Sequence, residues 1–245
     1  MNDVGQQALV CGFGDVAAGV AGMAWDLGEP GALLLSEGEA RLATFAIEEG
    51  GDAATLELSA GETTVEAILT PRTAAIPLAS ADGASAGIPT VTSCTAEVRS
   101  AGAAQTVLCA GQIARWSADP LEGAGSFRHL TIEDGPDTLL IATALGAPGA
   151  DGHGEERTSG WLLNGENATR FEETLISTQY DGAGEPTRIG LELWPEDADQ
   201  TSRAAACRVT GSLIGGAEAG GTWAGLFRCH TDGTEGLGSY LLWRA

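Results

Sequence analysis

The sequence contains no lysine: its 12 basic residues are all arginine, set against 34 acidic ones for a net charge of −22. That absence excludes a Schiff-base lysine, a lysine general base and a phosphate loop of the G-x-x-x-x-G-K-[ST] type. It leaves no basic stripe either, so nucleic acid and anionic membrane surfaces are poor partners. The acidity itself reads as a device for solubility. No stretch approaches the roughly 20 consecutive apolar residues of a membrane helix. The opening MNDVGQQALVCGFGD lacks a basic region followed by a long apolar run, and a cytoplasmic protein is expected. Cys11, Cys94, Cys109, Cys207 and Cys229 are an odd set without C-x-x-C spacing. They exclude a structural zinc site and a secreted disulfide scaffold, and read as buried small hydrophobes.

What is present is a chain able to bury a core, with 43% hydrophobic residues among 245. Its length suits two domains of ordinary size. Thirty-six glycines and nine prolines leave little room for long helices. The runs between them alternate: Ile189, Leu191 and Leu193 share one face, as do Trp223, Phe227 and Cys229. The expected class is all-β, with strands near 31–36, 39–47, 53–59, 63–70, 105–115, 126–133, 137–145, 158–163, 170–179 and 203–212. The small, polar segment Leu78–Pro89 reads as a loop or linker.

Three motifs invite chemistry and are declined on physical grounds. Gly83-Ala84-Ser85-Ala86-Gly87 fits G-x-S-x-G, but a nucleophile elbow needs a helix after it, and Ile88-Pro89 and a β-rich run follow instead. Gly12-Phe13-Gly14-Asp15-Val16-Ala17 fits a dinucleotide fingerprint. Asp15 would face the pyrophosphate, however, and no βαβ alternation follows, so these glycines read as turns or bulges. His153-Gly154-Glu155 resembles the H-x-E of zinc deaminases without their P-C-x-x-C element. No metal site and no cofactor are expected.

The chain also resembles itself. Glu122-Gly123-x-Gly125-Ser126-Phe127 matches Glu235-Gly236-x-Gly238-Ser239-Tyr240 at an offset of 113, which also aligns Cys94 with Cys207, Arg115 with Arg228 and Asp119 with Asp232. An internal duplication is expected, with units 1–132 and 133–245, each of about eight short strands in a barrel or sandwich. The repeated Arg, Asp and Glu read first as a lock on the same hairpin in both units. In a barrel mouth the same groups could protonate an alkene or orient water.

With this duplication, the run Leu175-Ile176-Ser177-Thr178-Gln179-Tyr180-Asp181-Gly182, the segment Gly190-Leu191-Glu192-Leu193-Trp194 and the closing Glu235-Gly236-x-Gly238-x-Tyr240 resemble actinobacterial members of the paired lipocalin-like superfamily. That superfamily includes carotenoid hydratases, tocopherol cyclase and survival-factor-like proteins. The resemblance implies two tandem lipocalin-like antiparallel units and an apolar lipid or isoprenoid ligand. It carries no catalytic residue onto a numbered position.

The leading expectation is therefore binding of an apolar small molecule in a barrel or in the crevice between units. Trp161, Trp194, Trp223 and Phe227 would supply wall, and Tyr180, His153 or Arg228 would orient a polar end. The alternative is a cofactor-free hydratase, cyclase or isomerase with Asp232 or Glu235 as proton donor. That role requires burial to raise the carboxyl's pKa. A carboxyl enclosed in apolar surroundings favours chemistry; carboxylates confined to the rim favour carriage. Barrels filled by their own Trp, Phe and Leu would instead mark a structural module.

Overall fold

A computed structural model describes residues 8–50, 53–71, 76, 90–100, 103–116, 121, 123–133, 138–149, 155–195, 207–219, 221–231 and 234–245. Among them there are strands and turns but no helix, and so no helix long and apolar enough to cross a membrane. The Gly83–Gly87 motif, the Leu78–Pro89 segment, His153 and Asp232 lie outside the described residues.

The first unit holds β1 (Ala8–Asp15), β2 (Val20–Asp26), β3 (Pro30–Ser36), β4 (Glu39–Leu42), β5 (Thr44–Gly50), β6 (Ala53–Ala60), β7 (Thr63–Pro71), β8 (Thr90–Ser100) and β9 (Ala103–Trp116). They form one antiparallel sheet in the order β4-β3-β2-β1-β9-β8-β7-β6-β5. The stretch expected as one strand over 39–47 breaks at Ala43, whose N–H turns to the Ala32 carbonyl at 3.0 Å. Its two halves become opposite edges of the sheet. Of the barrel or sandwich expected in this half, the barrel is corrected: β4 and β5 follow one another at Ala43 but do not pair, and the sheet stays open. It still curls around its own core, in which Phe13, Leu34, Leu56, Leu58 and Ile113 pack together.

The second unit holds β10 (Ser126–Glu133), β11 (Thr138–Gly146), β12 (Arg157–Asn164), β13 (Asn167–Tyr180), β14 (Pro186–Pro195), β15 (Cys207–Ala219), β16 (Thr222–Thr231) and β17 (Thr234–Arg244). These eight close into an antiparallel barrel in chain order, β17 pairing back onto β10. The matched segments Ser126-Phe127 and Ser239-Tyr240 thus sit on neighbouring strands of one barrel. Phe127 faces outward toward the first unit, whereas Tyr240 faces the barrel interior.

Strands buried on both faces position the two units against each other. In β2, Val20 and Ala24 face the first unit's core, while Ala21, Met23 and Trp25 face the barrel. In β11, Leu140, Ala142 and Ala144 fill the barrel, while Leu139, Ile141 and Leu145 face back. Such strands read as unbroken apolar runs, Ala32–Leu35 and Leu139–Ala142, because neither face meets water. The shared seam is one apolar cluster including Val10, Trp25, Leu33, Phe127, Ile141, Leu237 and Leu241.

Glycines in β1 make the close approach possible. Gly12 and Gly14 lie in regular antiparallel register with both β2 and β9, so they are neither turns nor bulges as expected. A Cβ at Gly14 would stand 3.1 Å from Glu133 Oε2 and 3.4 Å from Leu237 Cβ. Their function is to let β1 lie against β10 and β17.

Candidate functional site

The residues expected to form a site are spread over several environments. Trp223 and Phe227 do meet, at 6.3 Å between ring centroids, and Tyr240 joins them at 6.2 and 5.9 Å. All three belong to the barrel's own core, together with Leu130, Leu191 and Leu193. Tyr180 lies at the margin of this core, and the Arg244 guanidinium sits 5.0 Å above its ring. Trp161 packs against the seam cluster instead. Trp194 alternates with inward-facing Leu193 and lies on the barrel's outer side, half-buried. Arg228 and Glu235 form a surface pair at 3.7 Å, each half exposed. A pair so hydrated is worth about 0–1 kcal/mol.

Inside the barrel, the inward face of β10 carries a buried ion pair that the sequence reading missed. Arg128, 1% exposed, donates from Nε to Glu156 Oε1 at 3.0 Å and from Nη2 to Glu156 Oε2. Its Nη1 donates to the Ile176 carbonyl at 3.0 Å and lies 3.4 Å from Thr178 Oγ1. Thr178 in turn meets the Tyr240 hydroxyl at 3.0 Å. Burial, offset in part by Arg128, pushes the Tyr240 hydroxyl up to about 12. Each charge here has a matched partner inside the barrel.

The outward face of β10 is different. His129, Thr131 and Glu133 alternate with the barrel-facing residues and enter the seam, where all three are buried. His129 Nδ1 lies 3.1 Å from Thr143 Oγ1, and its Nε2 meets the Gln112 amide of the first unit at 2.9 to 3.1 Å. That contact joins the two units. Burial lowers the imidazole to about 4, so it is neutral at pH 7. Thr131 Oγ1 and Ser239 Oγ are hydrogen-bonded at 2.5 Å.

Glu133 ends this row beside Gly14 and Leu237. Burial pushes its carboxyl up to about 8, against an opposing hydrogen bond from its own backbone. No arginine is paired with it among the described residues. At pH 7 it therefore holds its proton in apolar surroundings; Glu235 is half exposed, and Asp232 lies outside the described residues. Among the described residues, no group of three or more His, Cys, Asp or Glu is placed to hold a metal.

A separate depression of about 280 Å³ lies on the barrel's outside, bounded by Ser177, Gln179, Arg188, Glu192 and Thr210, with Gly190 in its floor. It is polar and open, and it faces away from the seam.

No family model matches this sequence, and no curated protein does. Solved structures match over nearly the whole chain. Kievitone hydratase from Nectria haematococca superposes with a TM-score of 0.59 at 9% identity, covering 100% of this chain and 90% of its own. An AttH candidate from Nitrosomonas europaea gives 0.58 at 11%, covering 97% and 91%. CghA, solved with Sch210972, gives 0.55 at 8%, covering 97% and 88%. At these identities the shared property is the fold.

Proposed function

We propose that the chain is a cofactor-free enzyme of hydratase, cyclase or isomerase type, acting on an alkene-bearing apolar small molecule in the seam between the two units. The observation that carries this reading is the buried Glu133 carboxyl, protonated near neutral pH and facing the apolar seam. Because burial disfavours the carboxylate, this carboxyl keeps its proton at neutral pH, where an alkene in the seam can meet it. Glu133 gives its proton to one alkene carbon, and the neighbouring carbon becomes electron-deficient. Water then adds to that carbon and returns a proton to Glu133; or an adjacent C–H loses its proton to Glu133, giving the isomer; or a second alkene of the same molecule attacks the cationic carbon to close a ring, and a C–H beside the new cationic carbon then loses its proton to Glu133. Each route restores the acid. Hydratase activity belongs to one of the structurally similar proteins by name, which supports the reaction class without fixing the substrate.

The barrel interior is packed with its own Phe227, Tyr240 and leucines, whereas the protonated acid lies on the seam side of β10. The test is to purify the full chain, extract and identify the organic molecule that accompanies it, and incubate that molecule with protein in D₂O. The expected result is deuterium bound to carbon, lost with Glu133→Gln. Return of the molecule with no carbon-bound deuterium overturns catalysis and leaves carriage.

A further inference from the structure

Trp25 is the most conspicuous unexplained group in the seam. It lies on β2, fully buried, with its side chain in the seam cluster alongside Leu33 and Phe127. Its ring covers Gly31 of the neighbouring strand, where a Cβ would collide with indole atoms Cζ2 and Cε2. Glycine at 31 is thus what lets the indole lie flat against the sheet. The Nε1–H on that edge is buried and has no hydrogen-bond partner. An unpaired buried donor is costly and rare, and a phenylalanine would fill apolar space without one. Among the described residues, two other buried groups lack partners, the Thr174 and Thr231 hydroxyls. Both sit on the barrel side, Thr174 beside Gly160 and Leu193, and Thr231 in alternation with Cys229. Of these three described groups, Trp25 is the one in the seam with Glu133.

The strand register sets the spacing. Trp25 pairs with Val10, and Glu133 lies against Gly14, four residues further along β1. At about 3.3 Å per residue, the donor and the acid stand roughly 13 Å apart along the seam. We propose that the substrate class is an oxygenated rather than a purely hydrocarbon molecule, with a carbonyl or hydroxyl oxygen that accepts the Trp25 Nε1–H while its alkene lies toward Glu133. This rests on the seam being the site. It makes Trp25 a specificity-determining residue that reads the oxygen and orients the chain.

The test uses the full-length ¹⁵N-labelled protein, whose six tryptophans give six indole N–H signals. The Trp25 signal is assigned by its loss in Trp25→Phe, or by triple-resonance assignment if that variant does not fold. The probes are farnesol and the hydrocarbon of the same skeleton, farnesene. Farnesol should move the Trp25 indole proton downfield together with seam amides such as those of Phe127 and Leu237. Farnesene should move the amides and leave the indole unchanged, with roughly ten-fold weaker binding. Replacing Trp25 by benzothienylalanine, which keeps the bicyclic ring and removes the N–H, should abolish that difference. If farnesol shifts the seam amides but not the Trp25 indole, the oxygen-reading role is wrong and the seam survives as a site. If neither probe shifts seam amides, the seam site and this proposal fall together.

Discussion

Gly14 of the open sheet and Glu133 of the closed barrel touch across the seam, so closely that a Cβ at 14 would stand 3.1 Å from the carboxylate oxygen. The sheet-to-barrel distance and the desolvation of the acid are therefore set by the same contact. Gly14→Ala must move Glu133 or part the units by a few tenths of an ångström. The expected cost is about 1–3 kcal/mol, seen as a fall in Tm of roughly 2–4 °C per kcal/mol in a chain of this size. Gly182→Ala is the control: a Cβ there meets nothing within 4 Å. Scanning calorimetry of both variants tests the contact, and equal Tm values would remove it.

Glu133 and His129 pull stability in opposite directions with pH. The carboxyl rises from 4.5 to about 8 on folding, so between those values the folded chain holds a proton that the unfolded chain releases. Stability contributed by this group falls as pH rises through that window. The imidazole drops from 6.5 to about 4, so the unfolded chain binds the extra proton there and stability rises with pH. Between about pH 4.5 and 6.5 the two slopes cancel, and the pair contributes a plateau with losses on both sides. Glu133→Gln should remove the alkaline loss, becoming more stable than the parent at pH 8 by an amount on the order of a few kcal/mol. Urea midpoints of the two proteins from pH 4 to 9 provide the measurement. Parallel curves would mean that Glu133 is ionised and solvated in the folded state.

Much of the fold was legible because alternation and turn residues are local signals. The face shared by Ile189, Leu191 and Leu193 and the one shared by Trp223, Phe227 and Cys229 both proved to be barrel core. Cys11 and Cys229 are buried in the two cores, as small hydrophobes. The site was less legible. In Arg128-His129-Leu130-Thr131-Ile132-Glu133 the residues at 129, 131 and 133 are polar, and nothing local reveals that a second sheet covers that face. Even the inward Arg128 depends on Glu156, 28 residues away. The glycines at 12 and 14 read as turns or bulges from the sequence, because close approach by a distant strand has the same local signature as a bend. Arg228 and Glu235 were singled out by repetition, which marks strand pairing as readily as chemistry.

Arg128 and Glu156 should behave as a unit whose halves cannot be removed separately. Glu156→Gln leaves the buried guanidinium without a countercharge, an expected loss of about 3–5 kcal/mol. Arg128→Met together with Glu156→Leu removes both charges and should recover much of that loss. A double-mutant cycle measured by urea unfolding reads the coupling, and additive effects would show that the pair is not joined in solution.

The β3–β4 hairpin offers a gain rather than a loss. Ser36 pairs with Glu39 across a two-residue turn in which Glu37 has φ of 55° and Gly38 of 80°. Both central residues are left-handed, the geometry of a type I′ turn, which favours Asn-Gly. A glutamate in that conformation carries a strain of about 1 kcal/mol that asparagine relieves by tolerating the left-handed region. Glu37 also favours the charged form of nearby Arg41, but that guanidinium is fully exposed and paired chiefly with Glu39. Glu37→Asn should therefore raise Tm by a few degrees, as about 1 kcal/mol would in a chain this long, while Glu37→Val lowers it because a β-branched side chain tolerates the conformation least. If calorimetry ranks valine at or above asparagine, the turn is not left-handed at position 37 and the register of β3 with β4 must differ.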